Sequence, residues 1–257
     1  MPQLFLSGTP IGDIQGVLFD KDGTLSNSEN YLIQLAELRI QESINRFEVK
    51  GFDFKKTNQL RQLLSKSFGI TEKGVSPSGI IAIAARHENL IATATVFCLL
   101  GENWPNSYAL ANEIFYEADL LIKKVPPHSI ERTLLPGALE LLNELSRKGV
   151  TCGLISNDSH SGIQRFLQDN GLEKIFKSFW SAEDNPPKPN PFAVRELCNR
   201  LGLPTTKCAL IGDSESDLQM SRKAKISLTM GYNSGWKNPP NLYSYQYLIN
   251  HWDQLTI

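Results

Sequence analysis

The chain is 257 residues long, with 41% hydrophobic and 21% charged residues, which excludes a disordered or fibrous protein and leaves room for one large domain or a medium one carrying an insertion. A formal net charge of −1 supplies no overall basic field for a nucleic-acid polymer or an acidic membrane surface. The four cysteines, Cys98, Cys152, Cys198 and Cys208, show neither C-x-x-C spacing nor a companion histidine cluster, and so point away from a zinc site or disulfide framework and toward a reducing, cytoplasmic setting.

The first stretch, "MPQLFLSGTPIGD", lacks a basic leader and does not read as a secretory signal. A buried strand is predicted at Gly16–Phe19, stopping at the polar cluster "DKDGT". From residue 28 the pattern changes. Ile33, Ala36, Ile40, Ile44 and Phe47 recur at helical spacing, and further apolar helical stretches run through Leu60–Phe68, Ile80–Ala85, Leu90–Leu100 and Ala109–Ile122, so this block is predicted to be all helix. Its longest apolar run, "LIATATVFCLLG" from Leu90, falls short of the roughly 20 residues that cross a bilayer. "RHEN" at Arg86–Asn89 is predicted to be a surface turn between helices, and Trp104 and Tyr108 are predicted to pack inside. The breakers of "VPPHS", Val125–Ser129, close the block.

Beyond them helices are predicted at Ala138–Lys148, Ser161–Asn170, Pro191–Leu201 and Ser216–Lys225. They alternate with strands at Val150–Ile155, Lys207–Ile211 and Ile226–Met230. That alternation predicts an α/β unit with a mainly parallel, Rossmann-like sheet, in which ligands bind outside the carboxyl ends of the strands. The chain therefore divides into a catalytic core at 1–27 and 133–257 and an inserted helical domain at 28–132. The tail from Asn238 is expected to pack on the core irregularly.

The polar clusters at the strand ends carry the chemistry. Two aspartates one residue apart, Asp20 and Asp22, make a strand-ending turn plausible, but they also suit phosphoryl transfer: one carboxylate attacks phosphorus, the other serves the leaving group as acid and then the water as base. Two carboxylates beside a phosphate repel one another, so this chemistry demands a cation, and Mg²⁺ suits an all-oxygen site. "GDSESD" supplies Asp213 and Asp217 four residues apart, on one side of a helix that starts near Ser214; Asp213 is otherwise a helix N-cap. In "SNDS", Ser156 and the backbone N–H groups after it can hold phosphate oxygens, or Ser156 or Asp158 can cap the next helix. Lys188, set among prolines in "PPKPNP", offers a point positive charge.

Asp20-Lys21-Asp22-Gly23-Thr24, Ser156, Lys188 within "KPNP" and "GDSESD" together resemble, in order, the four motifs of the haloacid dehalogenase superfamily. The helical insertion is similar to the cap of its phosphoglycolate-phosphatase-like and β-phosphoglucomutase-like members. The resemblance implies that Asp20 is the nucleophile and a Mg²⁺ ligand, and that Asp22 is the general acid/base and lends its backbone carbonyl to the metal. It further implies that Asp213 ligates Mg²⁺, with Asp217 in support and Gly23 and Thr24 shaping the turn beneath the site. Ser156, Asn157 and Lys188 would hold the transferring phosphoryl group. The implied activity is Mg²⁺-dependent hydrolysis of a small-molecule phosphate ester. A phosphomutase, a dehalogenase and a regulatory protein without turnover are the rivals, and no string in the helical block names a substrate.

Overall fold

The computed structural model describes residues 2–126 and 132–257. At the amino end β1 (Gln3–Leu6) and β2 (Thr9–Asp13) make an antiparallel hairpin that turns at Ser7 and Gly8, both at positive φ. β3 (Gly16–Phe19) follows and is buried along its whole length, as a strand covered on both faces must be.

The helical stretch opens with α1 (Glu29–Val49), which buries Leu32, Leu35, Ala36, Ile40, Ile44 and Phe47 along one stripe, with Ile33 half-buried at its edge. α2 (Phe54–Phe68) starts where the Asp53 carboxylate accepts the Lys56 N–H at 2.9 Å and stops at Gly69, whose φ of 80° only glycine adopts without strain. The expectation of an all-helical block fails here. β4 (Ile70–Thr71) and β5 (Gly74–Val75) form a small antiparallel hairpin, and the Val75 N–H is tied to Glu29 Oε1 at 3.0 Å.

A short α3 (Ile80–Ile83) leads to α4 (Arg86–Leu99) and α5 (Trp104–Leu121). "RHEN" is therefore the first turn of α4 rather than a surface turn. Glu88 accepts the Ala85 N–H at 2.7 Å, and Asn89 Nδ2 donates to the carbonyls of Ile80, Ala84 and Ala85 at 3.0–3.1 Å, so the segment joins two helices by side-chain hydrogen bonds. Nor does Trp104 pack inside. It is 47% exposed, next to Pro105 in the first turn of α5, with its ring 5.9 Å from the half-buried Tyr108. The predicted breaker segment is described only through Pro126; Pro127 to Ser129 lie outside the described residues.

The α/β pattern then runs α6 (Ala138–Arg147), β6 (Thr151–Ile155), α7 (His160–Asp169), β7 (Phe176–Trp180), α8 (Pro191–Leu201), β8 (Cys208–Gly212), α9 (Glu215–Lys223) and β9 (Leu228–Tyr232). The tail is regular where an irregular one is expected: β10 (Tyr247–Ile249) pairs in parallel with β9, and β11 (Leu255–Thr256) pairs with β1. One parallel sheet results, in the order β10-β9-β8-β3-β6-β7, beside a three-stranded sheet β11-β1-β2. Alternate residues of the inner strands face opposite sides. Val17, Phe19, Leu154 and Ile211 join a core with Leu142 of α6 and Phe166 of α7; Leu18 and Leu210 join one with Val194 of α8 and Met220 of α9.

The chain separates into two compact units, Met1–Asn27 with Arg132–Ile257, and Ser28–Glu131. Among the described residues no helix is long and apolar enough to cross a membrane.

Candidate active site

β3 is the pivot of the site. It lies between β6 and β8, and the Asp20 N–H extends the ladder by donating to Ile211 O at 2.9 Å, so the carboxylate of Asp20 leaves the carboxyl edge of the sheet at a fixed point. The chain then turns back on itself: the N–H groups of Leu25 and Ser26 both donate to Lys21 O, and Gly23 sits at φ 77°. This turn brings Thr24 Oγ1 to donate to Asp213 Oδ1 at 2.8 Å.

Asp213 comes from the end of β8, where Gly212 makes the turn possible. A Cβ at residue 212 would stand 2.7 Å from the Cβ of Asp217, so only glycine lets the first turn of α9 come so near the strand. The N-cap of α9 is Ser214, whose hydroxyl accepts the Asp217 N–H at 3.1 Å and donates to Asp217 Oδ2 at 2.6 Å. Asp213, the expected alternative cap, is thereby left to face the site. Asp20, Asp213 and Asp217 each offer an oxygen within 4.8 Å of the others, and all three are buried.

Lys188, on the loop between β7 and α8, meets this cluster. Its Nζ lies 2.6 Å from Asp20 Oδ1 and 2.6 Å from Asp217 Oδ1, and donates to Ile155 O at 3.4 Å. Burial lifts the carboxyl of Asp20 to about 6, against the pull of Lys188. Burial also lifts Asp213 well above the usual carboxylate range, helped by the charges of Asp20 and Asp217 and opposed by hydrogen bonds from Trp236 and Thr24. Lys188 moves the other way: burial alone would lower it, but Asp20 and Asp217 hold its ammonium well above the ordinary lysine range.

Asp22 is turned elsewhere, with both carboxylate oxygens 2.6 Å from the fully buried Nζ of Lys21. Lys21 is also 3.2 Å from Asp158 Oδ2, which in turn is 3.2 Å from Arg132 Nη1. Ser156 ends β6, the other neighbour of β3, and its Oγ accepts the Asp158 N–H at 3.1 Å. The helix after it is capped by Ser159, which accepts the Gly162 N–H at 3.0 Å, rather than by Ser156 or Asp158. Asn157 stands beside Ser156, half-buried.

The structure thus joins Lys188 to Asp20 and Asp217 and Thr24 to Asp213, gathers the three aspartates within 4.8 Å of one another, sets Ser156 and Asn157 on the adjacent strand end, and pairs Asp22 with Lys21. Sequence reasoning gave Asp158 only the part of a helix cap, named Lys21 without a role of its own, and passed over Arg132 and Trp236. A lysine between two aspartates is a weak signal in itself, but its complete burial requires those partners. Trp236, whose Nε1 donates to Asp213 Oδ2 at 2.6 Å, lies in a loop with no periodic pattern to read.

A family model described as haloacid dehalogenase-like hydrolase matches residues 14–225. The chain is 30% identical over 106 residues to a phosphoglycolate phosphatase of Aliivibrio fischeri, an alignment covering 40% of this chain and 47% of that protein. It spans about half the length of the curated relatives it matches. Among solved structures it is similar to a "predicted phosphoglycolate phosphatase" from Haemophilus somnus, with a TM-score of 0.66 and 18% identity over 94% of this chain and 96% of that one. It is also similar to CbbY from Rhodobacter sphaeroides in complex with phosphate, with a TM-score of 0.52 and 17% identity over 93% and 95% of the two chains. At these identities the two structures speak for the fold.

Proposed function

Because the chain belongs to the haloacid dehalogenase-like hydrolases, we propose that it is a Mg²⁺-dependent phosphatase that hydrolyses a small phosphate ester through an aspartyl-phosphate. The observation that carries this reading is the buried cluster at the strand ends: Asp20, Asp213 and Asp217 bring their carboxylates within 4.8 Å of one another, and a single ammonium, that of Lys188, pairs with Asp20 and Asp217. Three carboxylates against one ammonium leave negative charge that burial makes costly, and the donors are all hard oxygens. That set fits Mg²⁺, with Asp20 and Asp213 as side-chain ligands, the backbone carbonyl of Asp22 as a third and Asp217 in support. Bound there, Mg²⁺ would neutralise the carboxylates and the phosphate oxygens that gather on them.

Asp20 attacks phosphorus, and the bond from phosphorus to the ester oxygen breaks. Asp22, as the carboxylic acid, gives its proton to the departing oxygen. Water then attacks phosphorus of the aspartyl-phosphate and loses a proton to the Asp22 carboxylate, and inorganic phosphate leaves with Asp20 regenerated. For this Asp22 gives up its pairing with Lys21, which holds it ready one residue from the nucleophile. Lys188 keeps Asp20 ionised and meets the phosphoryl oxygens, with Ser156 Oγ and the Asn157 N–H as further donors. Thr24 steadies Asp213. Substrate selection is assigned to the unit Ser28–Glu131, the part of the chain outside the one that holds these residues.

The curated relatives make phosphoglycolate the first ester to try. A cytoplasmic setting suits four cysteines that all stand free. The test is phosphate release from phosphoglycolate, sugar phosphates and nucleotides with Mg²⁺, and again in excess EDTA. Release that needs Mg²⁺ is expected. No release from any ester would sink the reading, and isomerisation of a sugar phosphate without release would make the protein a mutase.

A further inference from the structure

Trp236 follows β9 in an irregular loop, yet it is 6% exposed and reaches one of the three clustered carboxylates. Asp213 is held from two directions: Thr24 Oγ1 donates to Oδ1 at 2.8 Å and the indole N–H donates to Oδ2 at 2.6 Å. One donor on each oxygen fixes the plane of the carboxylate and leaves each oxygen a further lone-pair direction.

The backbone around the indole is shaped for this contact. A Cβ at Gly23 would come within 2.1 Å of Trp236 Nε1 and 2.6 Å of Asp213 Oδ2, and a Cβ at Gly235 would fall 1.7 Å from Gly23 O. Both positions must therefore be glycine for the loop of Trp236 to lie against the turn that follows the proposed nucleophile. A buried indole needs a partner for its single donor, and here that partner is a carboxylate lying among two others rather than a backbone carbonyl.

We infer that Trp236 is the positioning residue that sets Asp213 for a divalent cation, and that its indole reports whether the cation is bound. This rests on the reading of Asp213 as a metal ligand. Partners of ligating carboxylates commonly account for tenfold or more in metal affinity, because they hold the ligand in the orientation that binding requires. A cation arriving on Asp213 changes the charge felt by an indole hydrogen-bonded to that carboxylate, so the emission of Trp236 changes with occupancy.

The experiment titrates Mg²⁺ alone into metal-free protein, followed by calorimetry and by tryptophan emission, with far-UV circular dichroism as the check on folding. Wild type is expected to show a saturable emission change. Trp236→Phe is expected to lose most of that change and to bind Mg²⁺ about tenfold more weakly or worse. Trp236→His, which keeps a ring N–H donor, is expected to recover affinity to within about threefold of wild type, and it is the variant read if the phenylalanine variant does not fold. A Trp236→Phe protein that is folded and binds Mg²⁺ within twofold of wild type, or keeps the full emission change, overturns the inference, as does wild type that binds no Mg²⁺. If Mg²⁺ binds as expected and no ester is hydrolysed, the phosphatase reading fails while the role of Trp236 stands.

Discussion

Lys188 is the residue on which the charge balance of the site turns. Replacing it with methionine leaves Asp20 and Asp217 buried without their ammonium, and loss of one partner of a buried pair costs on the order of 3–5 kcal/mol. Urea unfolding of Lys188→Met without metal is expected to show a loss of that size; a loss below about 1 kcal/mol would mean the pairing is weaker than its 2.6 Å distances imply. Asp20→Asn changes charge with almost no change of volume, so the protein should fold normally and release no phosphate; turnover at the wild-type rate would remove Asp20 from the reaction. A pH dependence follows from the burial that lifts Asp20 to about 6. Above that pH the carboxylate is free for a cation, and below it a proton must first be displaced, so Mg²⁺ affinity should fall from pH 7 to pH 5 by up to about tenfold per unit. Calorimetry at a series of pH values checks this, and a flat profile would contradict it.

At the scale of elements, the reach of sequence reasoning depended on whether a segment repeats. β3 and α8 lie where the sequence places them, at Gly16–Phe19 and Pro191–Leu201, because an inner strand is an unbroken apolar run and α8 has proline at its start and Gly202 at its end. β7, "FKSFW", went unread because Phe176, Phe179 and Trp180 stand at i, i+3 and i+4, the spacing of a helix, and do not alternate as a half-buried strand would. β10 has three residues at the edge of the sheet, too few to show a pattern. The start of α4 was hidden because Ala85 stands where a capping side chain signals a helix, and only Glu88 performs that office. In the site, acids and lysines at strand ends were legible one by one, but the hold of Trp236 on Asp213 arises from two glycine contacts that no local string encodes. Gly212 is the corresponding hinge of α9. Gly212→Ala should push Asp217 and the first turn away from β8 and weaken Mg²⁺ binding by about tenfold, measured by calorimetry; unchanged affinity would mean the helix yields without moving the cluster.

For the whole molecule, a cation that binds the folded cluster and not the unfolded chain must stabilise the core unit by mass action. At a Mg²⁺ concentration one hundred times the dissociation constant the gain is about 2.7 kcal/mol, or several degrees in melting temperature for a protein of this size. Melting with Mg²⁺ and with EDTA should differ by that much, and equal melting curves would take the cation out of the cluster. The same architecture has a consequence for how the chain is made. β3 is the first strand of the large sheet to leave the ribosome, yet its hydrogen-bonding partners begin at Thr151 on one side and Cys208 on the other. The unit Ser28–Glu131 lies wholly between them in the chain and can be complete while β3 still waits with its edges bare. The sheet is therefore expected to form after the helical unit, one edge of β3 being covered when β6 emerges and the other only when β8 brings Asp213 beside Asp20.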